Sequence, residues 1–84
     1  MDNNEVPYRV WNIINPPSRP MFYPVRTPQE GARLINDLAS AQLKDGWIQS
    51  NAFGMECVED GEWSEWYNDL GESIIDLADA ELED

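Results

Sequence analysis

Six carboxylates crowd one short stretch of the chain. They are Glu56, Glu59, Asp60, Glu62, Glu65 and Asp69, and Trp63 and Tyr67 are set among them. Acids at such close spacing could ligate a metal, share a proton as a catalytic pair, or present a field to a cationic partner. The first option needs a recognisable ligand set. There is no His and one Cys, Cys57, so zinc sites built from imidazole or paired thiolates are excluded. A calcium loop wants alternating acids, a Gly at its sixth position and a closing Glu. The run EDGEWSEWYNDLGE does not have that spacing, so no metal and no cofactor are expected.

Catalysis is limited in the same way. Without His the commonest general base is missing, and so is every Ser–His or Cys–His pair. No glycine-rich phosphate loop is present. A carboxylate pair remains, but 84 residues with one long helix leave little room for a substrate cleft. No catalytic residue is assigned, and the chain is expected not to be an enzyme.

The third option draws support from where the charge lies. Net charge is −12, and residues 1–43 contribute none of it. From Lys44 onward one base faces thirteen acids, and from Met55 onward twelve acids face none. Such a surface repels nucleic acids and anionic membranes and speeds encounters with basic surfaces. The expected partner is a basic protein, a class that includes nucleic-acid-binding proteins. Direct contact with nucleic acid or membrane is not expected.

The elements that must position these residues follow from local patterns. YRVWNII (Tyr8–Ile14) is β-branched and aromatic, apolar on both faces, and reads as a central strand. NPPSRP is a loop stiffened by its prolines. MFYPV (Met21–Val25) is a strand that Pro24 confines to an edge or an end. In TPQE, Thr27 is an N-cap, Pro28 suits the first helical position, and Glu30 completes a capping box. The helix should run to about Lys44, with Leu34, Ile35 and Leu38 as its core stripe and Gly46 as a left-handed cap.

A third strand lies within Trp47–Val58, best from Asn51. Asp60–Gly61 is a two-residue hairpin turn, and Glu62–Tyr67 the returning strand. This turn sets Val58 opposite Trp63, Glu56 opposite Glu65, and Gly54 opposite Tyr67. Cys57, Met55 and Phe53 then share the core face with Ser64 and Trp66. Like charges opposed at Glu56 and Glu65 destabilise a sheet unless they are solvated or meet a cation. After the NDLG turn, ESIIDLADAEL fits a helix, although ESIID could equally be a strand.

The expected fold is therefore α+β, a β-β-α-β-β antiparallel sheet with one helix on a face and a short C-terminal element. It is expected to be one domain spanning 1–84, with a loose arm at 1–7 and a frayed acidic tail at 77–84. No apolar run approaches a membrane span, no secretory leader is visible, and one Cys allows no internal disulfide. A cytoplasmic location is expected.

The cadence NPPSRPMFYPVRTPQEGARLINDLA…NAFGMECVEDGEWSEWY resembles small acidic bacteriophage and prophage accessory proteins. That group includes anti-CRISPR proteins and inhibitors of host DNA enzymes, several of which act as DNA mimics. The resemblance covers most of the chain but carries over no functional residue. It implies an inhibitor that occupies a basic surface of a host protein, in the host cytoplasm. Carboxylates would take the place of phosphates, and aromatics the place of bases. Independently of the resemblance, the base-free acidic run and its hairpin mark the expected partner-binding residues as Glu56, Glu59, Asp60, Glu62, Trp63, Glu65, Tyr67 and Asp69. The alternative is a structural or assembly protein that forms a homodimer through its aromatic face.

Overall fold

Alternating side chains divide the central strand, β1 (Tyr8–Ile14), between two environments. Val10 and Asn12 are fully buried on one face, whereas Arg9 and Trp11 point to the other. The computed structural model describes residues 7–82. The expected N-terminal arm, apart from Pro7, and the last two residues of the expected tail lie outside the described residues.

β1 pairs antiparallel with β2 (Met21–Val25) on one side and with β3 (Asn51–Glu59) on the other. β3 pairs in turn with β4 (Glu62–Glu65), giving the sheet order β2-β1-β3-β4. β2 and β3 thus flank β1, and α1 (Pro28–Leu43) connects them. Pro24 sits on an edge strand, where its missing N–H breaks no ladder. The hairpin has the expected turn, with both Asp60 and Gly61 at positive φ. Its register is also as expected for Glu56↔Glu65, Cys57↔Ser64 and Val58↔Trp63. Strand pairing stops at Glu65 rather than Tyr67, although the Trp66 N–H still donates to the Met55 carbonyl at 3.0 Å.

Both helices cover the face that carries Val10 and Met55. α1 begins as expected: Thr27 Oγ1 accepts from the Glu30 N–H at 3.1 Å, and Pro28 opens the helix. Its buried side differs from the expected stripe. Gly31, Ala32, Ile35 and Gln42 are buried, while Leu34 and Leu38 are only half-buried. Small residues let the helix approach closely: a methyl added to Gly31 would lie 2.8 Å from Met55 Sδ. The helix ends at Lys44 in right-handed geometry, and Gly46 is not among the residues at positive φ. Asp45 and Ile48 instead continue the chain through turn hydrogen bonds.

α2 (Ile74–Leu82) resolves the C-terminal ambiguity in favour of a helix. Asn68 shapes the loop before it, its Oδ1 accepting from the Leu70 and Glu72 N–H groups, both at 2.9 Å. Ser73 N–H donates to Asp76 Oδ2 at 3.0 Å, which caps the helix start. Ile74 and Ala78 are buried against α1 and the sheet, and Asn36 Nδ2 donates to the Ala78 carbonyl at 3.0 Å. The stretch from Leu77 is helical as far as Leu82. Val10, Val25, Ala32, Ile35, Met55, Ile74 and Ala78 form the core. Each large member contributes about 1.5–3 kcal/mol by burial.

Polar groups close one end of this core. Gln42 Nε2 donates to Asn12 Oδ1 at 2.7 Å, and Asn12 Nδ2 donates to the Ala52 carbonyl at 3.1 Å. Asn51 Nδ2 donates to Gln42 Oε1 at 2.8 Å. Buried amides carry little penalty when each finds its partners, as these do.

Candidate functional site: the uncovered sheet face

The face opposite the helices is the candidate site, because no described element packs on it. Its residues alternate with those of the core: Arg9 and Trp11 on β1, Phe22 on β2, Gly54, Glu56 and Val58 on β3, Trp63 and Glu65 on β4. Phe22 is 46% exposed and Trp63 38%.

Arg9 organises this face. Its Nε–H donates to Glu56 Oε1 at 2.7 Å. The guanidinium carbon lies 4.0 Å from the Phe22 ring centroid and 4.3 Å from that of Trp63. Rings from both edge strands thus meet a cation from the central strand. A guanidinium favours this setting because it is planar, weakly hydrated and able to stack. The opposed pair expected at Glu56 and Glu65 is present, and Arg9 supplies a cation to its first member.

Glu65 is held differently. Partial burial pushes its carboxyl above the usual range; a hydrogen bond from the Trp11 indole opposes the shift, and the charge of Glu56 adds to it. The Trp11 indole packs against Gly54, its cross-strand neighbour, and a methyl on Gly54 would overlap the ring. The ring that fills the space beside Gly54 thus comes from β1, whereas Tyr67, expected opposite Gly54, lies beyond the paired part of β4.

The eight expected partner-binding residues divide into groups. Glu56, Trp63 and Glu65 share the uncovered face. Glu59 and Glu62 oppose each other on the other side of the ribbon, where the Cys57 thiol donates to Glu59 Oε1 at 3.7 Å. Burial first, then the Glu59 charge, pushes that thiol upward in pKa. Asp60 is at the turn tip, and Asp69 is in the exposed loop shaped by Asn68. Tyr67, 59% exposed, borders a groove with Tyr8, Val58 and Trp66.

Three residues of the face escaped the sequence reading: Arg9, Trp11 and Phe22. Alternation along β1 puts Arg9 and Trp11 on one face, but only the sheet order brings them to Glu56 and Gly54. Among the described residues, no group of three or more His, Cys, Asp or Glu side chains is placed to hold a metal ion, and no helix is long and apolar enough to cross a membrane. No protein-family model, curated protein or solved structure matches the chain.

Proposed function

We propose that this protein is a non-enzymatic acidic binding protein of the phage-inhibitor or DNA-mimic kind, which occupies a basic surface of a host protein in the cytoplasm. The observation that carries this reading is the uncovered sheet face, where Trp11, Phe22 and Trp63 lie beside Glu56 and Glu65. Asp60 at the hairpin tip and Glu62 on its flank extend the carboxylates beyond that face. Exposed charges within about 8 Å of one another at physiological salt add into one field. That field steers a basic groove, and the rings then supply short-range energy of the kind interfaces draw from Trp and Phe.

A second reading is a homodimer through the same face, favoured by the exposure of Phe22, Val58 and Trp63. Charge opposes it, since each copy carries −12. Salt separates the two readings. Affinity capture from bacterial lysate, eluted with a salt gradient and analysed by mass spectrometry, should release a basic protein early in the gradient. A complex that consists only of the chain itself and persists in high salt would favour the homodimer.

A further inference from the structure

A groove beside the start of β1 is lined by three aromatic residues and one acid. Tyr8, Cys57, Val58, Glu59, Trp66 and Tyr67 line it. Tyr8 and Trp66 are half-buried and pack against the core, so the fold itself fixes them. We propose that this groove receives the ammonium group of one lysine side chain presented by a basic partner.

Two features select that ligand. Glu59 complements a single positive charge, and the Tyr and Trp rings attract a cation through their π faces. Val58 and the ring surfaces suit the apolar four-carbon stem behind a compact head. A planar guanidinium suits the flat sheet face instead, as Arg9 does between Phe22 and Trp63. The Cys57 thiol, raised in pKa by burial and by Glu59, stays neutral at physiological pH and adds no competing charge.

The inference rests on the basic-partner reading above, yet its test needs no partner. The isotope-labelled full chain is titrated at low salt with N-acetyl-lysine N-methylamide and followed by NMR. Parallel titrations use the norleucine analogue, which keeps the stem without the charge, and the arginine analogue. Saturable shifts of the Trp66 indole and Glu59 amide signals are expected with lysine only. Glu59→Gln and Tyr67→Ala should each weaken binding about fivefold, and an otherwise unchanged spectrum reports an intact fold. No saturable shift in the groove, an equal response to norleucine, stronger binding of arginine, or indifference to both substitutions would each overturn the proposal. If lysine fails to bind while a basic protein is still captured through the sheet face, only the groove assignment falls. If lysine binds but no basic protein is captured, the groove assignment stands and the broader reading falls.

Discussion

Arg9 Nε lies 2.7 Å from Glu56 Oε1, which joins the central strand to its neighbour across the uncovered face of the sheet. The contact spans 47 residues of sequence, and it relieves a repulsion the hairpin would otherwise hold between Glu56 and Glu65. Arg9→Ala removes the charged hydrogen bond and both ring contacts at once. It is expected to cost about 1–2 kcal/mol of stability. Urea unfolding of Arg9→Ala, Glu56→Gln and the double variant would give the coupling. A coupling near zero would mean the pair is merely coincident on the surface.

The Glu65 carboxyl titrates above its usual range in the folded chain, mainly because of partial burial. A raised folded pKa means the native state holds that proton more tightly than the unfolded chain does. Glu65 therefore favours folding at acid pH, and that contribution is lost as pH rises through its folded pKa. Glu65→Gln should stabilise the fold at neutral pH, and the gain should shrink as pH falls through the raised folded pKa towards the usual carboxylate range. Thermal unfolding of both proteins across that window checks the sign. A gain that grows towards acid pH would contradict it.

Gln42 and Asn12 satisfy each other where α1 crosses the sheet. Gln42→Leu would strand the Asn12 carbonyl and remove the acceptor of Asn51. A loss of about 1–3 kcal/mol is expected from the unsatisfied groups. Denaturant titration measures it directly, and an unchanged midpoint would show that water replaces the bonds without penalty.

Gly54 has a packing reason to lack a side chain, because the Trp11 indole occupies the space a Cβ would need. Gly54→Ala should displace that ring, break its hydrogen bond to Glu65 and alter tryptophan fluorescence. The core lies on the opposite face, so helical circular dichroism should persist. Unchanged fluorescence would place the indole elsewhere.

Local signals in the sequence were sufficient for β1, β2, the α1 start and the Asp60–Gly61 hairpin. Each rests on neighbours within four residues. Hairpin register follows from the turn, which is why the Glu56–Glu65 opposition is legible in the sequence alone. Contacts that depend on sheet order were not. Arg9 reaches Glu56, and Trp11 covers Gly54, only because β3 docks beside β1 rather than beside β2. A leucine stripe on α1 was the natural expectation, yet the helix turns its smaller side inward, since Gly31 and Ala32 allow the approach that Met55 fills. The helical state of α2 was marked by Ser73 and Asp76, an S-x-x-D cap that competed with the β-branched pair Ile74–Ile75. Of the acids expected to act together, alternation separates Glu59 and Glu62 from Glu56 and Glu65. That separation is why a groove and a face, rather than one patch, now divide the proposed binding residues.

The measurement closest to the central claim is the binding kinetics of the captured basic partner with wild-type chain, the Glu62→Lys and Glu65→Lys double variant, and Trp63→Ala. Trp63 and both acids lie outside the core, so both variants should stay folded, with changes in unfolding temperature limited to the lost Arg9–Trp63 contact and the replaced Glu65 carboxyl. Charge reversal should slow association and flatten its salt dependence. Trp63→Ala should speed dissociation by about thirtyfold, as expected for an interface residue contributing about 2 kcal/mol. If Trp63→Ala instead unfolds the chain while the double reversal leaves association untouched, Trp63 serves the fold, the acids serve only solvation, and the proposed binding face is wrong.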